Sequence, residues 1–197
     1  WRRLPDEDYR MKDGKILEFT MSALDNIDRN KVTKTIAADL KEVGIKLNLD
    51  IKSNSDLINQ NVLPRAFDTL LFSVNTFIDP DRFEFFHSSA VTHPGLNIAS
   101  YVSEEKTVRV NDETKMAERA PEVDVKLERG RSLIDENKRK EEYSAFQSIV
   151  ANEVPMVFLY HPVLNYNANI RVRGIDVKNA NTLEERFKEI YNWEIKL

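Results

Sequence analysis

Apolar and polar positions along the chain change period several times, and each change predicts an element. After a polar opening that ends on the turn signal Lys12-Asp13-Gly14, the apolar positions Ile16, Leu17, Phe19 and Met21 predict a strand. Val32, Ile36, Ala37, Leu40 and Val43 then fall at helical spacing behind Asp28, a candidate cap, and Gly44 supplies the left-handed stop. Ile45, Leu47, Leu49 and Ile51 alternate with Lys46, Asn48 and Asp50, the period of a half-buried strand. A short helix over 56–62, opened by Asn54 or Ser55 and ended by Pro64, precedes the apolar run 67–74, expected to be a buried strand.

Strands joined by helical crossovers make an α/β layer. Asp79-Pro80-Asp81 should break the run 67–74 into a loop, with a helix starting near Arg82 and continuing to His87. Residues 87–121 read as largely irregular. Two helices follow, over 122–134 and 137–152, the second with Tyr143, Phe146, Ile149 and Val150 on one face. Pro155 ends it, and Met156 to Tyr160 predicts a strand. Thr182-Leu183-Glu184-Glu185 reads as a capping box for a last short helix with Leu183, Phe187 and Ile190 inward.

Composition narrows the function classes. The 197 residues are 41% hydrophobic and 31% charged, with 5 Gly and 7 Pro, which suits a folded domain with a core rather than a low-complexity segment. The 33 acidic and 29 basic residues are dispersed along the chain, so no basic stripe offers itself to nucleic acid. No apolar run approaches the roughly 20 residues of a membrane span. The absence of cysteine excludes disulfides, thiol catalysis and Cys-ligated zinc. Trp1 opens the chain with neither Met nor a signal segment, so a processed, truncated or excised chain is expected.

Several segments fall in a fixed order. The strand Phe67-Asp68-Thr69-Leu70-Leu71-Phe72-Ser73-Val74 leads into Asp79-Pro80-Asp81-Arg82-Phe83. Phe86-His87-Ser88-Ser89, Gly95-Leu96-Asn97 and Tyr101 follow, then Val123-Asp124, Leu127, Arg139-Lys140, Tyr143, Val154-Pro155 and Leu159-Tyr160, and finally Gly174 and Trp193. Together they resemble family 5 of the extracellular solute-binding proteins, the oligopeptide-, dipeptide- and nickel-binding proteins of ABC transporters. They match, in turn, the family's strand and Asp-Pro-Asp loop, its Gly-x-Asn and downstream Tyr, its late helices and returning strand, and its end. The stretch from Glu104 to Ala120 is longer than the family's pattern and is expected to be a surface insertion.

The resemblance covers about residues 12–197. It implies the C-terminal lobe of a type II periplasmic-binding-protein-like two-lobed fold, an α/β domain with a mixed sheet flanked by helices. Residues 1–154 would form that second lobe, incomplete at its N-terminal side, and 155–197 a return segment toward the first. It also implies an extracytoplasmic protein, periplasmic or extracellular and anchored through a lipoprotein segment, that is not an enzyme and carries no cofactor. Its partners would be a peptide or other small ligand, an ABC permease and the missing first lobe.

Ligand contacts would come from the loop Asn75-Thr76-Phe77-Ile78-Asp79, with Asn97, Tyr101, Tyr160 and His161 as further candidates. Peptide binders of the family carry an aspartate about three residues before Asp-Pro-Asp, pairing with the ligand's amino terminus, and a tryptophan near the strand end. Thr76 and Val74 or Ser73 stand there instead, and a neutral hydroxyl does not replace a charge-assisted bond.

Each candidate also has a plainer reading. Asp79 and Asp81 flank a proline at a helix start and favour capping. Asn97 can fix its own turn, and Tyr101, Tyr160 and Tyr166 can serve as core-edge residues. Phe83, Phe85 and Phe86 read as packing. His87, His93 and His161 lack zinc-ligand spacing. A hydrolase or lyase built on Asp79, Asp81 and His87 is the alternative, and a non-transport interaction module a third, but no Gly-x-Ser-x-Gly elbow, Walker loop or dinucleotide fingerprint is present.

Overall fold

A computed structural model of the chain describes residues 1–3, 7–76, 79–105, 107–110, 117–162, 166–177 and 184–196. They fall into two compact units. The first comprises Trp1–Asn75 and Asp81–Pro155, and the second Thr76–Pro80 and Met156–Leu197.

In the first unit a small antiparallel ribbon, β1 (Met11–Lys12) and β2 (Lys15–Ile16), turns through Asp13 and Gly14. A three-stranded parallel sheet follows, made of β3 (Glu18–Leu24), β4 (Lys46–Lys52) and β5 (Thr69–Leu71) in the order β4-β3-β5. Central β3 pairs along its whole length with β4, from Glu18 opposite Lys46 to Leu24 opposite Lys52, and through Met21–Ala23 with β5. Its residues Met21, Ser22 and Ala23 are buried accordingly.

Helix α1 (Ile27–Glu42) crosses from β3 to β4. Its cap is Asn26 rather than the expected Asp28: Asn26 Oδ1 accepts the N–H groups of Asp28 and Arg29, at 3.0 and 3.4 Å. Asp28 sits instead in the first turn, where its charge suits the helix dipole, and pairs with Lys31 at 3.5 Å. Gly44 adopts φ +77 and stops the helix as expected.

Ser53, not Asn54 or Ser55, opens α2 (Asn54–Asp56) by accepting the Asp56 N–H at 3.2 Å. The helix then widens through Leu57–Val62, where the Leu63 N–H reaches back five residues to the Ile58 carbonyl at 2.9 Å. The expected strand 67–74 is shorter, because only Thr69–Leu71 finds a partner on β3, and 72–75 leaves the sheet.

Helix α3 (Phe83–Phe86) and a 3₁₀ turn, Ser88–Ala90, lead into irregular chain as far as Ser103. Residues 104–120 are not all loop, however. Strands β6 (Thr107–Val110) and β7 (Ala117–Ala120) pair antiparallel, Thr107 opposite Ala120. The short alternation Thr107-Val108-Arg109-Val110 carries a strand signal that the surrounding charge conceals.

Helices α4 (Glu122–Ser132) and α5 (Glu136–Glu153) pack the main helical layer. The two helices pack on each other, with Val123, Val125 and Leu127 of α4 and Tyr143, Phe146 and Val150 of α5 all buried, and Phe86 adds an edge-on ring 5.2 Å from Phe146. Gly130 makes the close approach possible: a Cβ there would stand 2.8 Å from the Tyr143 ring. Val154, at φ +48, ends α5 before Pro155.

The second unit is sparser. Its one described ribbon pairs β8 (Val172–Arg173) with β9 (Glu194–Ile195). Gly174, at φ +75, lies so close to the Asn192 carbonyl that a Cβ would stand 2.1 Å from its oxygen. Trp193 gathers Tyr166 and Phe187 at 6.2 and 5.8 Å. The expected strand Met156 to Tyr160 is absent. These residues belong to no ladder, and Phe158 is 69% exposed, since a strand needs a neighbour for its backbone as well as an apolar sequence. The expected final helix reduces to two 3₁₀ turns, Glu184–Phe187 and Ile190–Asn192, with Phe187 and Ile190 exposed rather than inward. Thr182 and Leu183 lie outside the described residues.

Candidate functional site

The carboxyl end of a parallel sheet is where open α/β folds bind ligands, because the connecting loops diverge there and leave a crevice. Strand β5 delivers Phe72, Ser73, Val74 and Asn75 to that end in the first unit. A pocket of about 330 Å³ opens beside them. The widened turn after α2 contributes Ile58, Val62 and Leu63, followed by Arg65, while Phe85 and the loop 93–98 close the other sides. The lining is overwhelmingly apolar, with Ser73, Asn75, Arg65 and His93 as its polar members.

The loop that completes the pocket is tightly fixed. Asn97 is fully buried, and its carboxamide donates to the carbonyls of Tyr101 at 2.8 Å and His87 at 3.3 Å while accepting the Tyr101 N–H at 3.1 Å. Its side chain thus holds the turn. Gly95 abuts the Ala90 carbonyl, leaving no room for a Cβ, and Arg65 spans the gap by donating to the Gly95 carbonyl at 2.7 Å and to the Val62 carbonyl.

Behind the loop a polar cluster ties it to α4. Asp124 is buried and accepts both the N–H and the hydroxyl of Ser88. His87 stacks on Phe83 at 3.9 Å, and its Nε2 lies 3.3 Å from Glu128 and 3.7 Å from Asp124. Asp81 caps α3 by accepting the Phe83 N–H at 3.0 Å and takes the Arg131 Nε–H at 2.6 Å, while the Arg131 guanidinium covers the Phe83 ring at 3.9 Å. Asp81 is therefore a capping residue.

Ser89 Oγ lies 2.7 Å from His87 Nδ1, which superficially continues a serine–histidine–carboxylate chain. The same Nδ1 accepts the Ser89 N–H at 3.1 Å, however, as an ordinary turn cap, and Asp124 is committed to Ser88. The pocket described above is lined by neither His87 nor Ser89. Among the described residues no cluster of His, Asp and Glu is arranged to hold a metal ion, and no helix is long and apolar enough to cross a membrane.

Tyr101 meets Phe86 edge-on at 6.4 Å and donates its hydroxyl to Glu153 at 2.6 Å. Burial, reinforced by the hydrogen bond to that carboxylate, pushes its phenol well above the ordinary tyrosine range.

Of the residues singled out in the sequence, Asn75 lines the pocket, while Asn97 and Tyr101 fix the loop around it. Thr76, Asp79, Tyr160 and His161 belong to the second unit, where Tyr160 is 63% exposed and His161 is exposed. Phe77 lies outside the described residues. Sequence reasoning missed Arg65, Leu63 and Ile58. No local signal marks Arg65 as a pocket residue, and its φ of +57 is a conformation that a non-glycine side chain seldom announces. Leu96 was visible only as the middle of Gly95-Leu96-Asn97.

No protein-family model matches the chain, and no curated protein matches it either. Solved structures do. The oligopeptide-binding protein AppA from Bacillus subtilis, in complex with a nonapeptide, is similar over 99% of this chain and 35% of its own, with TM-score 0.68 and 23% identity. NikZ from Campylobacter jejuni, in complex with Ni(L-His), is similar over 93% of this chain and 34% of its own, with TM-score 0.63 and 21% identity. A putative peptide binding protein AppA from Clostridium difficile gives TM-score 0.66 at 16% identity, over 92% of this chain and 34% of its own. The chain therefore spans about a third of the length of these proteins, and over that span it is a mixed α/β fragment of the periplasmic-binding-protein-like fold.

Proposed function

We propose that this chain is the C-terminal portion of an extracytoplasmic solute-binding protein, which receives oligopeptide-like or related small ligands for an ABC transporter permease and catalyses no reaction. The observation that carries this reading is an apolar pocket with few polar groups at the carboxyl end of the sheet, within a fold similar to that of an oligopeptide-binding protein. Residues 1–154 act as the second lobe and 155–197 as the return segment toward the first. Asn75, Thr76, Phe77, Asp79, Tyr160 and His161 make ligand contacts, and Asn97 and Tyr101 shape the loop that presents them. The complete protein is periplasmic or extracellular, held at the membrane by a lipoprotein anchor.

Enclosure between two lobes supplies most of the affinity in such a receptor, so a single wall binds weakly. Mass spectrometry of the full-length protein under native conditions is expected to find peptides or similar small molecules carried through purification. Failure to find any, together with no heat of binding across a panel of short peptides, would remove the reading. Because the loop Asn75-Thr76 is neutral, acetylating the amino terminus of a bound peptide should change its affinity by less than about tenfold.

A further inference from the structure

We propose that the pocket beside β5 takes an apolar group that carries a carboxylate, with Arg65 as the partner of that charge. The inference rests on the receptor reading and names the chemistry of one part of the ligand. Four of the lining residues, Leu63, Phe72, Val74 and Leu96, are each more than a third exposed, so a substantial apolar surface faces water around one concavity. A volume of about 330 Å³ stands at the small end of ligand sites and suits a single hydrophobic side chain or short acyl group with its polar end.

Arg65 is the unusual member of this lining. Its side chain is half-buried, and its two terminal nitrogens donate to the backbone carbonyls of Val62 and Gly95. Its Nε is buried and has no hydrogen-bond partner. None of the ion pairs among the described residues involves it.

Pinning two carbonyls needs donors but no charge. The positive charge is what the loop leaves over, and Arg65 brings it to the pocket lining. A partly desolvated guanidinium whose acceptors among the described residues are all neutral keeps part of its desolvation cost, which an incoming carboxylate offsets. The two carbonyl bonds also fix the guanidinium plane in advance, so little side-chain freedom is lost when an anion docks. An uncharged apolar ligand would leave that cost in place, and a cationic one would add repulsion. Ser73 and Asn75 offer neutral polar groups to the remainder of the ligand.

The test uses the 197-residue chain and two probes, N-acetyl-L-phenylalanine and its carboxamide, titrated by calorimetry and by backbone amide NMR. The acid is expected to bind at least about fivefold more tightly than the amide, with the largest shifts at Phe72, Asn75 and Leu96. Arg65→Gln should equalise the two probes, and Leu96→Trp, which fills the pocket, should weaken both. Raising salt from about 20 mM to about 500 mM should weaken the acid and spare the amide, a readout that holds in the wild-type chain even if Arg65→Gln does not fold. Equal affinities in the wild type, a preference that survives Arg65→Gln or is independent of salt, or shifts located away from the pocket would each overturn the proposal. None of these results depends on whether the full-length protein carries ligand through purification, so failure of the pocket and failure of the receptor reading are separate outcomes.

Discussion

Helix α5 and the segment that follows it make an instructive pair, because both are rich in large apolar side chains and they meet quite different fates. Tyr143, Phe146 and Val150 are spaced along one helix face and buried in a helix that packs on α4, with every intervening backbone group satisfied inside the helix. Val157, Phe158, Leu159 and Tyr160 are consecutive, about as hydrophobic, and exposed. A helix closes its own hydrogen bonds and needs only one apolar neighbour, whereas an extended segment needs a second strand before its side chains have anywhere to go.

The buried helix pair is the more sensitive of the two to substitution. Leu127→Ala removes a fully buried side chain between α4 and α5 and should destabilise the first unit by about 2–5 kcal/mol in urea denaturation. A loss below about 1 kcal/mol would mean the two helices are not the cooperative core they form here.

Loop closure comes next. Asn97→Ala leaves the Tyr101 N–H and the His87 and Tyr101 carbonyls without their partner, and should cost about 1–3 kcal/mol. Asn97→Asp should not restore it, because a carboxylate accepts the N–H but offers no donor to the two carbonyls. Equal stability of wild type and Asn97→Ala would show that the turn holds without its side chain.

A smaller effect is expected from Tyr101, and its sign follows from linkage. The phenol's pKa is raised in the folded state, chiefly by burial and then by Glu153, so above the unfolded tyrosine value of about 10 the folded chain retains a proton that the unfolded chain loses. Its contribution is fully present below that pH and is lost as pH rises through the folded value. Chemical denaturation across the alkaline range should therefore show a decline in stability that Tyr101→Phe reduces. An identical slope in the variant would assign the decline to other groups.

The smallest effect should come from the exposed end. Phe158→Ala should change stability by less than about 0.5 kcal/mol. A penalty near that of Leu127→Ala would mean the segment is packed in solution and would erase the contrast with α5.

How much of this was legible beforehand depends on how local the deciding interactions are. The Val32-to-Leu40 spacing, the alternation from Ile45 to Ile51 and the stop at Gly44 each reflect a period or a backbone preference carried by a few neighbouring residues, and β3, α1 and β4 appear where they place them. The buried face of α5 and the Asp81 cap were legible for the same reason.

What the tertiary structure alone decided is the set of partners. Strand β5 is three residues long because only Thr69–Leu71 pairs with β3, opposite Met21, Ser22 and Ala23, a limit not written in the apolar run 67–74. The strand expected at Met156 to Tyr160 has no ladder, and β6 exists because β7 lies opposite it across a charged sequence. The pocket is equally non-local. Ile58 and Arg65, Phe72, and Leu96 come from three separate stretches and share a wall because a parallel sheet brings the loops at its carboxyl end together. Pattern reports what a segment can become. Which neighbour satisfies its backbone, and which charge is left without a partner, is settled when distant segments pack.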